Sequence, residues 1–110
     1  MRQCFTAVIE RAEPLGETFA TEPYEGGWAE EAVLFIRTLE GTDPTTILRA
    51  RVQISPDGIH WVDEGTDFPP LAGEGLVFAR IGRFGNWLRV AGTVEGTAPA
   101  RALVYVVLKG

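Results

Sequence analysis

The stretch Ile47-Leu48-Arg49-Ala50-Arg51-Val52-Gln53-Ile54-Ser55 alternates between apolar and polar side chains. In an extended chain its apolar members fall on one side and its long polar members on the other: Leu48, Ala50, Val52 and Ile54 against Arg49, Arg51 and Gln53. A period of two is typical of a β-strand with one buried face. The stretch therefore predicts a strand from Ile47 to Ser55 that covers a hydrophobic core.

The next residues, Ser55-Pro56-Asp57-Gly58, have the composition of a tight turn. Proline in second place, aspartate in third and glycine last are typical of a type I turn that closes a β-hairpin, with Gly58 in the left-handed conformation. We therefore predict a hairpin whose second strand runs from Ile59 to Asp63.

A three-residue loop also fixes which residues of the hairpin face each other: Ser55–Ile59, Ile54–His60, Gln53–Trp61, Val52–Val62 and Arg51–Asp63. This register places two groups on opposite faces: Val52, Ile54, His60 and Val62 toward the core, and Arg51, Gln53, Ile59, Trp61 and Asp63 away from it. Arg51 and Asp63 are then expected to form a cross-strand ion pair. For Trp61 two interpretations stay open. Either Pro69 or Pro70 covers the indole, or Ile59 and Trp61 belong to a contact surface, because tryptophan is enriched in interface hot spots.

Similar patterns recur along the chain, separated by turns that contain many of its 13 glycines and 7 prolines. Further strands are predicted over Gln3–Glu13, Glu17–Glu22, Glu31–Leu39, Gly75–Ile81, Asn86–Val94 and Arg101–Leu108. Short strands with frequent turns are typical of an all-β protein. We expect one domain over residues 1–110, an antiparallel β-sandwich or jelly roll of seven to eight strands, with a small closed barrel as the rival.

The last predicted strand, Arg101–Leu108, is apolar on both of its faces. One row contains Ala102, Val104, Val106 and Leu108, and the other contains Leu103, Tyr105 and Val107. Only one row can face the domain's own core, so the other predicts either a covering loop or contact with another subunit. Val33-Leu34-Phe35-Ile36 has the same character, and together the two strands indicate self-assembly.

Composition and charge exclude several classes of function. With 15 acidic and 10 basic residues the 110-residue chain has a net charge of −5, which disfavours binding to nucleic acid or to an anionic membrane. One cysteine and one histidine exclude a disulfide framework and a Cys/His zinc cage. The first residues lack the apolar core of a signal peptide, so we expect synthesis in the cytoplasm, which leaves later incorporation into a particle open.

The candidates for catalysis are few. Ser55 is the only serine and His60 the only histidine, and the predicted register puts them on opposite faces. We therefore expect no catalytic residue, no cofactor and no metal site.

Trp28 lies in a predicted loop with Glu25 and two glycines, and Trp87 opens a predicted strand after Gly85 and Asn86. Sugar-binding modules use loop aromatics beside carboxylates as stacking platforms. The alternative is that Trp28 and Trp87 close the two ends of the core.

Two resemblances bear on function. Ser55–Trp61 resembles the Asp-box, the Ser-x-Asp-x-Gly-x-x-Trp hairpin of sialidases, but is one residue shorter; in those families the box is a folding element remote from catalysis. The whole chain resembles small β-sandwich proteins of tailed-phage particles in its length, acidic balance and scarcity of catalytic groups. That resemblance implies a non-enzymatic decoration, shell or tail subunit whose partners are copies of itself or other particle subunits. The alternative is a carbohydrate-binding module that uses Trp28, Trp61 or Trp87.

Overall fold

Every regular element in the described part of the chain is a β-strand. The computed structural model describes residues 4–15, 18–96 and 100–110, with side chains from residue 18 onward. Seven strands have six or more residues: β1 (Cys4–Leu15), β4 (Glu31–Thr38), β5 (Ile47–Ser55), β6 (Val62–Asp67), β8 (Gly75–Gly82), β9 (Trp87–Glu95) and β10 (Ala100–Lys109). Three are shorter: β2 (Thr18–Ala20), β3 (Tyr24–Glu25) and β7 (Leu71–Ala72). Among these described residues, no helix is long and apolar enough to cross a membrane.

The strands form two antiparallel sheets. The first sheet has the order β1-β10-β4-β8, and the second has the order β2-β9-β5-β6, with β3 pairing to β9 and β7 to β5. The two sheets enclose one hydrophobic cluster. The prediction of an all-β antiparallel sandwich is therefore confirmed. The predicted starts of two strands, Gln3 and Glu17, lie outside the described residues.

The core follows the period-two pattern of the sequence. On β5 the predicted inward residues Leu48, Ala50 and Val52 are buried, while Arg49 is exposed. On β10 the inward row is Ala102, Val104, Val106 and Leu108, each no more than 1% exposed. This answers which row of the last strand faces the domain's own core.

The register predicted for the hairpin after β5 is wrong. Ile54 pairs with Val62 and Gln53 with Asp63, so the second strand begins at Val62 and not at Ile59. The cause lies in the connection: Asp57 Oδ1 accepts hydrogen bonds from the backbone N–H groups of Ile59 and His60, both at 2.8 Å. These amides are satisfied by a side chain within the turn, and the turn is therefore longer than a three-residue loop.

The two core positions that depended on this register are corrected with it. The side chain of His60 is 82% exposed, and Val62 is 61% exposed. The expected ion pair survives the shift, because Arg51 Nε lies 2.9 Å from Asp63 Oδ1. Asp63 is paired in register with Gln53, so Arg51 reaches it from the adjacent outward position on β5, two residues earlier.

Phe84 closes one end of the core. It is 3% exposed and lies between two left-handed residues, Arg83 with φ of 52° and Gly85 with φ of 83°. Gly26 packs against it so closely that an added Cβ would lie 3.4 Å from the Phe84 ring and 3.1 Å from Leu108. At this end of the sandwich a phenylalanine fills the position that the sequence suggested for a tryptophan.

Phe84→Ala should lower the free energy of unfolding by about 3 to 5 kcal/mol, because a buried ring is replaced by a cavity. The matched control is Phe78→Ala, whose ring is 49% exposed on β8 and should cost much less. Urea unfolding at low protein concentration measures both. Equal losses would contradict the assignment of Phe84 to the core.

Candidate functional site

The outer surface of the first sheet is apolar over three adjacent strands. We call this surface the apolar face; its residues are Val33 and Phe35 on β4, Leu76 and Phe78 on β8, and Leu103, Tyr105 and Val107 on β10. Leu76 is 59% exposed, and the five residues on β4 and β10 are half-buried by their neighbours. Water therefore reaches an apolar patch that spans three strands.

Aromatic residues occupy the centre of the apolar face. Phe35 is paired in register with Tyr105 on one side and with Phe78 on the other. The Phe35 and Phe78 ring centroids lie 6.1 Å apart with the rings tilted by 39°, a favourable aromatic geometry. The Arg80 guanidinium carbon lies 5.3 Å from the Phe78 centroid, within range of a cation–π interaction. This centre is ordered by its own contacts.

Most charges among and around the residues of the apolar face are positive, and Arg37 lies in register between Leu76 and Leu103. The outward positions of the three strands carry four cations and one anion: Arg37, Arg80, Arg101 and Lys109, and Glu31. This basic excess lies on a chain whose net charge is −5. The charge of the molecule is therefore distributed unevenly between its surfaces.

The turn over residues 55–61 is held by two side chains. Ser55 Oγ accepts hydrogen bonds from the backbone N–H groups of Asp57, at 3.2 Å, and Gly58, at 2.8 Å, and donates to Asp57 Oδ1 at 3.0 Å. Gly58 has φ of 79°, as the sequence predicted. The turn is therefore a rigid element with its own hydrogen bonds.

The same turn explains the pKa of Asp57. The backbone N–H of His60 lowers this pKa most, followed by the imidazole of His60 and the backbone N–H of Ile59. The imidazole Nδ1 lies 2.7 Å from Asp57 Oδ2. Asp57 thus has contacts to both Ser55 and His60, and the hydroxyl of Ser55 is committed to the turn. This arrangement differs from a nucleophile activated by a histidine, in which the imidazole itself contacts the hydroxyl.

The turn lies on the outer surface of the second sheet, against Trp87. A Cβ added to Gly58 would lie 3.2 Å from the Trp87 ring, so the glycine backbone rests on the indole. Ile59 projects from the turn and is 74% exposed. We call this region the turn surface; it comprises Glu25, Asp57, Ile59, Trp61 and Trp87.

A polar network continues from the turn surface across the second sheet. Arg89 lies over Trp61, with its guanidinium carbon 4.3 Å from the ring centroid, and Arg89 Nε donates to Gln53 Oε1 at 2.8 Å. Gln53 in turn donates to Asp63 Oδ1 at 3.0 Å, the oxygen that also accepts from Arg51. The cover found for Trp61 is therefore Arg89, where the sequence suggested Pro69 or Pro70.

The tryptophans considered as sugar platforms lie near one end of the sandwich. Trp28 is 47% exposed and rests beside Gly110, whose added Cβ would lie 3.1 Å from the indole. It does not close the core, contrary to one of the two interpretations. Trp87 and Trp61 each have an indole face in contact with protein, with Gly58 and with Arg89. Over residues 18–96 and 100–110, no group of three His, Cys, Asp or Glu residues is placed to hold a metal ion.

The sequence predicted that β10 has a second apolar row, but it did not predict the apolar face to which this row belongs. Leu76 and Phe78 were missed, although their alternation with the inward residues Ala79 and Ile81 was readable. What the sequence did not reveal is that β8 and β10 lie on either side of β4.

The comparisons with known proteins establish the fold. No protein-family model matches the chain, and no curated protein matches its sequence. Among solved structures, the SPBc2 prophage-derived protein YomS aligns with a TM-score of 0.64 and 8% identity over 100% of this chain and 96% of YomS. The PBSX exported protein XepA aligns with a TM-score of 0.61 and 7% identity over 98% of this chain and 36% of XepA.

A structure of infectious bursal disease virus, Gx strain, is a third neighbour. It has a TM-score of 0.50 and 11% identity over 97% of this chain and 32% of the viral chain. The chain thus spans nearly all of YomS but only about a third of the other two proteins, at 36% and 32%. Prophage-derived and viral proteins share this fold.

Gly58→Ala should lower the free energy of unfolding by about 1 kcal/mol or more, because a Cβ is strained in the left-handed region and would press on Trp87. Gly41→Ala is the matched control, since Gly41 has a similar φ of 82° and open space around its Cβ position. Thermal unfolding measures both variants. If they are equally destabilised, the contact between Gly58 and Trp87 contributes nothing.

The turn should also make stability sensitive to acid. The pKa of Asp57 is lowered in the folded state, so its stabilisation is present above the unfolded value of about 3.9 and is lost as pH falls through the folded value. The pKa of Asp43 and that of Asp63 are lowered too. Asp57→Asn should therefore reduce, without abolishing, the fall in melting temperature below about pH 4. An unchanged slope would show that Asp57 contributes nothing to the acid response.

Proposed function

We propose that this chain is a non-enzymatic structural subunit of a phage-like particle, a decoration, shell or tail component that acts through protein–protein contacts. The apolar face carries the proposal. It presents seven apolar side chains on one side of three adjacent strands, with the aromatic pair Phe35 and Phe78 at its centre. Large exposed apolar patches on small proteins mark interaction sites.

Two further observations support this proposal. YomS and XepA, which share the fold, are named for prophages, and the third neighbour belongs to a virus. The hydroxyl of Ser55 is occupied by backbone amides and by Asp57, which favours a structural role for the turn over a catalytic one. Synthesis in the cytoplasm followed by incorporation into a particle is part of the proposal.

Burial of the apolar face would offset much of the free-energy cost of association. A patch of this kind exposes on the order of 400 Å². At about 25 cal/mol per Å², its burial would contribute about 10 kcal/mol before the cost of association is subtracted. That cost is of comparable size, so the face supports assembly between subunits at high local concentration.

The test compares the two rows of β10. Leu103→Glu with Tyr105→Glu should give a folded protein of smaller assembled size, because both side chains lie on the outer surface. Val104→Glu with Val106→Glu should prevent folding, because both positions are no more than 1% exposed and would bury unpaired carboxylates. Light scattering and circular dichroism measure the two effects. A wild-type protein that is monomeric at high concentration would overturn the proposed self-assembly.

A further inference from the structure

We propose that the partner of the apolar face is the turn surface of a second copy of this chain, so that subunits associate head to tail. This inference rests on the proposed function and specifies the partner of the same face. Two observations carry it. The outward residues of β4, β8 and β10 have a net positive charge and the outer surface of the second sheet a net negative one. Exposed apolar side chains lie on both, Leu76 and Phe78 on the apolar face and Ile59 on the turn surface.

The charges of the two surfaces are complementary. The outward positions of β4, β8 and β10, which contain the apolar face, have an excess of three positive charges from four cations and one anion. The outer surface of the second sheet carries five anions and three cations: Glu25, Asp57, Asp63, Asp67 and Glu95, with Arg49, Arg51 and Arg89. Surfaces of opposite sign favour association, whereas like charges brought together oppose it.

Two of the unpaired acidic groups lie at the turn. Arg49 pairs with Glu95 at 3.0 Å and Arg51 with Asp63 at 2.9 Å, so each pair is neutral and Glu25, Asp57 and Asp67 remain against Arg89. Glu25 lies opposite Trp87 in the β3–β9 pairing, and Asp57 lies in the turn above it. Glu25 and Asp57 therefore lie in the same region as Ile59, which is the most exposed large apolar residue described.

The positions of the two surfaces determine the type of assembly. Trp87 and the turn above it belong to the outer side of the second sheet, and the apolar face is the outer side of the first. A contact between opposite sides of two copies leaves both end surfaces unsatisfied, so it repeats until a ring closes or a filament grows. A contact between two apolar faces would instead stop at a dimer and would bring the basic residues of the two copies together.

The experiment uses two variants that each remove one surface. The face variant carries Leu76→Glu and Phe78→Glu, and the turn variant carries Glu25→Lys and Ile59→Lys; all four residues are exposed. The control carries Glu40→Lys and Glu74→Lys, two exposed residues at the opposite end of the sandwich from the turn. Sedimentation velocity gives the mass distribution of each protein alone and of an equimolar mixture of the face and turn variants.

We expect the wild type and the control to self-associate alike and each single-surface variant to associate about tenfold or more weakly. The mixture should form a one-to-one pair and nothing larger, because each variant keeps the surface that the other lacks. If circular dichroism shows that the face variant does not fold, Arg37→Glu with Arg101→Glu replaces it, since both side chains are exposed.

The other outcomes are distinct. If the turn variant associates like the wild type, or if the two folded variants fail to pair, the head-to-tail inference is wrong while the proposed function stands. If the wild type is monomeric at every concentration, the proposed self-assembly fails and this inference fails with it.

Discussion

The burial of the inward row of β10 is the constraint on which the rest of the structure depends. This strand lies between β1 and β4, so its backbone is hydrogen-bonded on both sides and its small and branched side chains cover the middle of the core. Successive side chains of a strand point to opposite faces of the sheet, so the inward direction of Ala102, Val104, Val106 and Leu108 fixes the outward direction of the residues between them. Leu103, Tyr105 and Val107 must then face outward together with the outward residues of β4 and β8.

The two outer surfaces of the sandwich differ in polarity. The second sheet carries arginines, a glutamine and carboxylates that hydrogen-bond to each other across β5, β6 and β9. Even its tryptophans are covered, by Gly58 and by Arg89. On β4, β8 and β10 of the first sheet, the outward charged residues flank the aromatic centre, and Arg37 lies between two apolar residues. This asymmetry is the feature that a function must explain, because an isolated monomer gains nothing from leaving aromatic rings in water.

How far the sequence predicted this structure depended on whether the deciding interactions were local. The bounds of β5 were predicted to the residue, because strict alternation is a property of the strand itself. The prediction of the hairpin register was wrong because the Asp57 carboxylate accepts the hydrogen bonds of two backbone amides that the neighbouring strand would otherwise accept. Composition does not reveal which acceptor these amides bind. Phe84 was missed because its burial depends on two left-handed neighbours. The apolar face was predicted only as a row, since its extent depends on the order of strands distant in sequence.

That order of strands also constrains how the chain folds. The residues of β10 pair with those of β1, as in Cys4 with Lys109, and with those of β4, as in Leu108 with Ala32. The first sheet therefore cannot close until the last strand has been synthesised, whereas β5 and β6 are near neighbours in sequence. Sheets built from such distant pairings fold slowly and expose their strands meanwhile. During that interval β4 and β8 present apolar residues on both sides, and strands exposed in this way are prone to aggregate before folding is complete.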